Sequence, residues 1–225
     1  MNENKVSFII CVNDNLFFEE CVRYLNWLEV PEGIETDILE IREAHSMAEG
    51  YNEGMKSSDA KYKVYMHQDA FIVNKYFIYD ILSIFREDRS IGMLGLVGTE
   101  KVPEGGVMWF GDRVPPTYEL DNNWEDGLWD VEGIDGVLMV TQYDIWWRED
   151  LFDGWDFYDL SQSFEMRKRG YRVVVPVHKR FWHLHDDKPA LSLWNYNNYR
   201  RKFIKEYMEN QENGEYDNCI DDSIQ

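Results

Sequence analysis

The sequence has few cysteines and no long apolar segment. Cys11, Cys21 and Cys219 are the only three in 225 residues, and their spacing matches no metal-binding motif. Cys11 lies in an apolar run and Cys21 on an apolar helical face, which predicts two small core side chains in a reduced, intracellular protein. No stretch approaches the length of a membrane-spanning helix, and residues 1–5 lead directly into a predicted strand without a signal peptide. We therefore expect a cytoplasmic protein with no transmembrane segment.

Basic side chains are also scarce. The chain has 23 Lys and Arg against 43 Asp and Glu, which gives a net charge of −20. A field of this sign repels nucleic acid and anionic membrane surfaces, so neither is an expected partner. An anionic nucleotide would need a cation or local Arg or Lys side chains in order to bind. Residues 209–225 carry six acidic and no basic side chains, which predicts an acidic tail after one domain of residues 1–208.

Apolar runs of strand length alternate with helical patterns in the first half of the chain. The runs 6–12, 36–41, 62–66 and 91–97 are predicted strands, and the segments between them carry apolar side chains at helical spacing. This β-α-β-α-β-α-β order predicts an α/β fold with a mixed, mostly parallel sheet flanked by helices. The pattern would equally fit a Rossmann or flavodoxin-like domain, although no Gly-x-Gly-x-x-Gly sequence follows the first strand.

The segment 46–73 holds the most informative motif. Ser46 to Glu49 has the form of a capping box that begins a helix, and the strand 62–66 then ends abruptly in His67-Gln68-Asp69. Open α/β sheets bind ligands at the carboxyl ends of their strands. A carboxylate there, with an imidazole two residues earlier, suits a divalent cation that holds a phosphate-bearing ligand. The alternative role for Asp69 is a simple turn at the strand end.

This segment resembles the family 2 type glycosyltransferases of the GT-A fold. Their motif is a small-residue helix with an Asn-x-Gly pair, followed by a hydrophobic strand that ends in Asp-x-Asp. Asn52 and Gly54 fill the pair here, His67 stands in place of the first Asp, and Asp69 keeps the second. The similarity is greatest to a glycosyltransferase-like branch whose strand ends in His-Gln-Asp. The resemblance implies a single GT-A-like domain, a metal ligand at Asp69, and nucleotide-sugar contacts at Asn52 and His67.

A second motif of the same family lies near residue 159. An acidic residue there precedes a helix that ends in Gly-Tyr before a Val-rich strand, and the count back from Gly170 and Tyr171 reaches Asp159. The resemblance makes Asp159 the general base, a carboxylate that takes the proton of the acceptor hydroxyl. Ser161 stands where the family often has a second acid. The alternative is that Asp159 or Asp156 caps the helix.

His183 and His185 form a third candidate group. Family members commonly carry a His shortly after the last core strand, and the resemblance implies that one of these two completes the metal site. Alternating residues of an extended chain point to the same side, so both remain candidates, as does a pair of exposed loop histidines. Imidazole with carboxylate suits Mn²⁺, and it suits Mg²⁺ only with additional oxygen ligands.

Further polar residues follow the first two predicted strands. Asn13 and Asp14 follow the first strand, and Arg42 and Glu43 follow the second. In the family the ends of these strands form the crevice that binds the base of the nucleotide. The resemblance therefore implies nucleotide-sugar contacts at these four positions.

Residues 99–135 break the regular pattern with several Pro, Gly and Trp residues. A loop of this length inside a compact domain is usually functional or disordered, and three Trp residues favour an ordered flap or acceptor-side region. Trp129 is one of them. Asp135, before Gly136, resembles the acceptor-side turn of the family, and a plain β-turn explains it equally well. Downstream, 136–141 and 171–176 are predicted strands, and 158–169 and 191–210 are predicted helices.

These motifs together predict an inverting, metal-dependent glycosyltransferase. Its partners would be a nucleotide-sugar donor, UDP-linked, and a carbohydrate or glycoconjugate acceptor, with Mn²⁺ or Mg²⁺ as cofactor. A catalytically silent carbohydrate- or nucleotide-binding domain of the same fold is one alternative. A nucleotidyltransferase is another, although that class would carry a Gly-rich basic loop after the first strand, where residues 13–16 read Asn-Asp-Asn-Leu.

Overall fold

Twelve strands and five α-helices make up the part of the chain that the computed structural model describes, residues 1–114, 127–177, 182–185 and 193–209. The strands are β1 (Asn2–Val12), β2 (Glu35–Arg42), β3 (Ala60–His67), β4 (Ala70–Ile72), β5 (Ile91–Gly95), β6 (Gly98–Thr99), β7 (Arg113–Val114), β8 (Leu128–Asp130), β9 (Gly133–Ile134), β10 (Leu138–Thr141), β11 (Arg172–Pro176) and β12 (His183–His185). The helices are α1 (Asn15–Leu25), α2 (Met47–Ser57), α3 (Phe77–Glu87), α4 (Tyr158–Lys168) and α5 (Leu193–Phe203). A 3₁₀ turn spans Met108–Phe110, and a π-helical turn, Ile204–Glu209, continues α5.

Seven strands form the central sheet in the order β2-β1-β3-β10-β5-β11-β8. The pairs β1–β2, β1–β3 and β5–β11 are parallel, whereas β10 lies antiparallel between β3 and β5, and β8 lies antiparallel to β11. The predicted mixed, mostly parallel α/β sheet is confirmed. The position of β10 between β3 and β5 was not predicted, because β10 pairs with strands that are distant from it in the sequence.

Side-chain alternation along the strands builds a separate core on each face of this sheet. In β1, Phe8 and Ile10 enter one core with α1 and α3, while Ile9 enters the other with α2 and α4. Strand β10 divides in the same way. Cys21 is buried in the first core and Cys11 packs against the second, and burial raises the pKa of both thiols to about 12. Both are therefore unreactive packing residues, as predicted, and Cys219 lies outside the described residues.

The helix ends follow local capping chemistry. The Ser46 side chain accepts a hydrogen bond from the Glu49 N–H at 3.1 Å, so the predicted cap of α2 is confirmed. Gly170 follows Arg169, the C-cap residue of α4, and adopts the left-handed backbone (φ 80°) that is common at this position. At the start of α3, Tyr76 occupies the N-cap position without a side-chain cap. The Asn74 Oδ1 atom, two residues earlier, accepts from the Tyr76 N–H at 3.1 Å, and its amide donates to Asp80 at 2.7 Å.

The segment 99–135 is more regular than its sequence suggests. Strands β7, β6 and β9 form a small antiparallel sheet, and β8 joins the edge of the central sheet. Strands of two or three residues leave no periodic pattern, which is why the sequence predicted only an ordered flap or acceptor-side region here. Residues 115–126 lie outside the described part, as does most of the predicted acidic tail, 209–225. No helix in the described residues is long and apolar enough to cross a membrane.

Helix α2 packs against β1 through a glycine, and this contact is testable. A Cβ on Gly54 would lie 2.3 Å from the Ile9 Cγ2 atom. Gly54→Ala is therefore expected to destabilise the fold by about 1–3 kcal/mol through overpacking, whereas helix propensity alone would give a gain of about 1 kcal/mol. Denaturant unfolding measures the sign. The control is Gly105→Ala, where no atom lies within 4 Å of the new Cβ; a Gly54→Ala variant as stable as wild type would contradict the close contact.

Candidate functional site

Strand β3 ends in a tight turn that places three potential metal ligands together. His67 is its last residue, and Asp69 precedes β4 directly. Strand β12 pairs antiparallel to β4 with His185 opposite Ala70, and this register brings the His185 Nε2 atom to 3.4 Å from the Asp69 Oδ1 atom. Ligand atoms of His67, Asp69 and His185 all lie within 4.8 Å of one another. His183, opposite Ile72 in the same pair of strands, is not part of this group.

The histidines around the Asp69 carboxylate stabilise its ionised form. Burial alone would raise the pKa of Asp69, but the contact with His185 and the charges of His185 and His67 together lower it below its usual value. Asp69 is therefore ionised at neutral pH. A carboxylate and two imidazoles offer three ligand atoms of the types that divalent transition metals prefer.

Gln68, the middle residue of the motif, ties this turn to the end of β1. Its Oε1 atom accepts hydrogen bonds from the backbone N–H groups of Asn13 and Asp14, each at 3.0 Å. The Asp14 carboxylate in turn caps α1 by accepting from the N–H groups of Leu16 and Phe17. Gln68 was not predicted, because an amide between two ligand-type residues looks like a spacer. It fixes the end of one strand relative to the other.

The predicted crevice residues lie at the same edge of the sheet. Val12 of β1 stands opposite Arg42 of β2 in a parallel register, so both strands end at the same level. Arg42 is exposed, forms an ion pair with Glu40, and donates to the Asn15 Oδ1 atom at 2.7 Å. Glu43 follows in a left-handed backbone conformation (φ 60°). The nucleotide contacts assigned to Asn13, Asp14, Arg42 and Glu43 stay predictions that this placement permits.

Helix α4 connects to the metal-ligand group through Tyr158. The backbone N–H of His67 donates to the Val137 carbonyl at 3.0 Å, which aligns the turn before β10 with the end of β3. The Tyr158 hydroxyl lies 2.6 Å from the His67 Nε2 atom. A Cβ on Gly136 would lie 2.1 Å from that hydroxyl, so this turn requires glycine. The sequence did not predict a role for Tyr158, because no sequence pattern marks a helical tyrosine whose hydroxyl contacts a distant residue.

Asp159, the next residue of α4, bridges the same turn. Its Oδ2 atom accepts from the Gly136 N–H at 2.9 Å and its Oδ1 atom from the Leu160 N–H at 2.8 Å. Burial, with a further contribution from the charge of Asp135, raises the pKa of Asp159 to about 7, although the backbone bonds oppose the shift. The N-cap position of α4 belongs to Phe157, in a left-handed backbone (φ 65°), so the capping alternative for Asp159 and Asp156 is wrong.

Asn52 has partners within the protein. The side chain is 4% exposed, and its amide donates to the Trp147 carbonyl at 2.9 Å and to a Glu149 carboxylate oxygen at 3.0 Å. The Trp147 N–H donates back to the Asn52 Oδ1 atom at 2.9 Å. Asn52 therefore holds the segment 147–149 against α2. A nucleotide contact at Asn52 stays a prediction that this geometry does not favour.

The two predicted acceptor-side residues lie in different elements. Asp135 is at the turn before β10, where its Oδ1 atom accepts from the Val137 N–H at 3.0 Å and its charge acts on Asp159. This side-chain bond closes a turn at Asp135, so a turn alone can explain the residue, as the alternative interpretation expected. Trp129 lies in β8, opposite Val175 at the edge of the sheet, and packs against the second core. Contacts with an acceptor stay predictions for both.

Comparison with protein families identifies the chain. Residues 7–207 match the glycosyltransferase-like family, so the protein belongs to this family. No curated protein sequence matches it. The resemblance seen in the sequence is therefore confirmed at the level of the family.

Several solved structures share the fold at low sequence identity. S. aureus TarS 1–349 in complex with UDP-GlcNAc is 10% identical with a TM-score of 0.56, over 84% of this chain and 60% of that chain. The mannosyltransferase PcManGT from Pyrobaculum calidifontis, in complex with GDP-Man and Mn²⁺, is 14% identical with a TM-score of 0.53, over 80% and 59%. GalNAc-T7 with UDP, GalNAc and Mn²⁺ is 10% identical with a TM-score of 0.55, over 90% and 48%. The chain thus spans less than two thirds of each of these chains, and the likeness establishes the GT-A fold.

Proposed function

We propose that this protein transfers a sugar, with inversion, from a UDP-linked donor to a hydroxyl of a carbohydrate or glycoconjugate acceptor, with the aid of a divalent cation. One observation carries the proposal. The group of His67, Asp69 and His185 at the end of β3 is joined through Tyr158 to Asp159, a carboxyl group with a pKa of about 7. Similar folds that hold UDP-GlcNAc, or GDP-Man with Mn²⁺, support it.

His67, Asp69 and His185 are the residues that would hold the cation. Two imidazoles and one carboxylate favour Mn²⁺ over Mg²⁺, which prefers oxygen ligands. This assignment gives His67 the role of a ligand in place of the nucleotide contact predicted from the sequence. When bound, the cation supplies Lewis-acid compensation of the negative charge that gathers on the leaving diphosphate.

The neighbouring strand ends would position the nucleotide. Asn13 at the end of β1, with Arg42 and Glu43 after β2, can offer an amide, a guanidinium and a carboxylate to a pyrimidine ring and its ribose. Gln68 holds the first of these strand ends in place through two backbone hydrogen bonds. Because Arg42 is paired with Glu40, the cation would be the charge that offsets the repulsion of a diphosphate by a chain of net charge −20.

Asp159 would act as the general base. Above about pH 7 its carboxylate is ionised and can take the proton of the acceptor hydroxyl. The acceptor oxygen then forms its bond to the anomeric carbon while the bond from that carbon to the diphosphate breaks. A single in-line displacement of this kind inverts the anomeric centre. A base whose pKa lies near the working pH balances ionisation against proton affinity.

Nucleotide binding is the primary test of this function. UDP with Mn²⁺ is expected to raise the melting temperature, because a ligand that binds only the folded state stabilises it. Asp69→Asn should abolish the Mn²⁺-dependent part of the shift and leave the free protein folded, since Asp69 lies in a turn and outside both cores. A shift with another nucleotide alone would overturn the base assignment, and no shift with any nucleotide would overturn the transferase function.

Tyr158→Phe tests the assignment of His67 as a ligand. Burial raises the pKa of Tyr158 well above its usual range, so the hydroxyl keeps its proton and can accept the His67 Nε2–H. That bond orients the ring so that Nδ1 is the ligand atom, and its loss should weaken Mn²⁺ binding about 10- to 100-fold by calorimetry without nucleotide.

Tyr51→Phe is the matched control for this experiment. Tyr51 lies in the same aromatic cluster, 5.9 Å from Tyr158 between ring centroids, and its buried hydroxyl has no hydrogen-bond partner among the described residues. Its removal should leave the affinity for Mn²⁺ unchanged. Equal losses in the two variants would show that the aromatic packing, and not the bond to His67, supports the site.

Asp159→Asn tests the base. Turnover should fall by about two orders of magnitude or more, while UDP affinity stays within a factor of two or three, since a general base contributes about 10²- to 10⁴-fold. In the wild type, kcat/KM should fall about tenfold per pH unit below pH 7 as the carboxylate becomes protonated. Near-normal turnover in the variant, or a flat profile down to pH 5, would show that another group is the base.

A further inference from the structure

Helix α5 carries a cluster of positive charge in an acidic chain. Residues 193–203 contain three Lys and Arg and no acid, whereas the whole chain has a net charge of −20. The turn after it adds Lys205 and two acids, Glu206 and Glu209. Cations in the last turn of a helix normally compensate the helix dipole. Here the helical segment continues through Ile204–Glu209, so the cations lie within it and not at its end. Dipole compensation therefore does not account for the cluster.

Two of these cations line a surface groove with an exposed tryptophan. The groove has a volume of about 530 Å³ and is lined by Trp194, Asn197, Arg200 and Arg201. The Trp194 side chain is 77% exposed. Single exposed apolar side chains are common and need no explanation. An indole ring beside two guanidinium groups in one groove, however, provides an apolar face and a polar, cationic edge for the same ligand.

The two arginines keep binding capacity for an anion. The Arg200 Nε atom donates to the Asn197 Oδ1 atom at 3.2 Å and its Nη1 atom to the Gly105 carbonyl at 2.8 Å, while the Arg201 Nε atom donates to the Asn197 carbonyl at 3.2 Å. Neither has a carboxylate partner among the described residues, unlike Arg148 and Arg172, which each pair with two or more acids. Neutral partners orient these guanidinium groups without neutralising them.

The groove belongs to a helix that also borders the proposed base. Tyr196, on the inner face of α5, packs against Phe157 with 5.0 Å between ring centroids. Phe157 is two residues before Asp159, and the charge of Asp159 adds to the burial that raises the pKa of Tyr196. On the outer face, Arg200 contacts Gly105 in the segment predicted to face the acceptor. A ligand bound along the groove would therefore lie near the proposed site of sugar transfer but outside it.

We propose that this groove binds an anionic oligosaccharide, and that the bound oligosaccharide is the acceptor of the transferred sugar. The planar guanidinium groups bind carboxylate or phosphate groups in a bidentate manner. The indole face packs against the C–H face of a sugar ring. Two neighbouring arginines with no carboxylate partner in the described part of the chain allow an anionic ligand to approach a protein of this charge. The role as acceptor site rests on the proposed function, whereas the binding itself does not.

Binding of matched glycans to the full chain tests this inference. Oligogalacturonate should bind, and its methyl ester, which has the same sugar backbone without the charge, should not. A second pair, phosphorylated and unmodified maltodextrin, tests phosphate groups in the same way. Comparison of the two pairs shows whether the groove prefers carboxylate or phosphate. Arg200→Gln with Arg201→Gln should weaken the affinity about tenfold or more, since hydrogen bonds to charged groups are lost, and added salt should weaken it further. Trp194→Ala should weaken it several-fold.

Helix α1 and the turn that follows it supply the control variants. Arg23→Gln and Trp27→Ala remove an exposed cation and an exposed indole (59%) from another surface, and should leave glycan binding unchanged. Equal binding of charged and neutral glycans, or equal losses in the controls, would overturn the inference. Tighter binding of single-stranded DNA than of the glycans would also overturn it. Glycan binding that appears only after removal of residues 210–225 would likewise overturn it, because the acidic tail would then be the occupant of the groove.

The thermal shift with UDP and Mn²⁺ is measured on the same variants. It should be unchanged in the Arg200 and Arg201 double variant. Glycan binding without any nucleotide shift would overturn the transferase function and leave the groove as a glycan-binding site. A nucleotide shift without glycan binding would overturn the inference about the groove alone.

Discussion

The hydrogen bond from the His67 N–H to the Val137 carbonyl sets the register between β3 and β10, and the candidate site depends on that register. It places Asp135 and Gly136 at the end of β3. Glycine at position 136 then admits the Tyr158 hydroxyl, which contacts the His67 ring, and the Gly136 N–H holds Asp159. A slip of one residue would turn every side chain of β10 to the opposite face and separate these groups.

The arrangement carries a cost in stability. Phe157 holds a left-handed backbone that a side chain of its size rarely adopts, directly before the two residues of α4 that reach the site. The folded-state pKa of Asp159 lies above its unfolded value of about 4. The folded protein therefore binds this proton more tightly than the unfolded chain, and the contribution of Asp159 to stability falls as pH rises from about 4 to 7. Strain and a buried carboxyl group at one place are typical of a functional site.

Local patterns in the sequence were sufficient for most of the first half of the fold. The apolar runs of β1 and β3 and the Ser46 cap each depend on neighbouring residues, and each was predicted. The place of β10 and the choice of His185 over His183 depend on strand pairings far apart in the chain, so no local pattern contained them. Gln68 and Tyr158 were missed for a related reason, since each acts through one hydrogen bond to a distant residue. The pKa of Asp159 likewise arises from burial and from Asp135, and spacing reveals neither.

We propose that His67, Asp69 and His185 together hold the cation against which the nucleotide diphosphate binds. Crystals grown with UDP and Mn²⁺ and measured at the manganese absorption edge would locate the cation. We expect one anomalous peak in contact with the His67 and His185 rings and the Asp69 carboxylate, adjacent to the diphosphate. Density for UDP without that peak, or a peak bound by other residues, would contradict it.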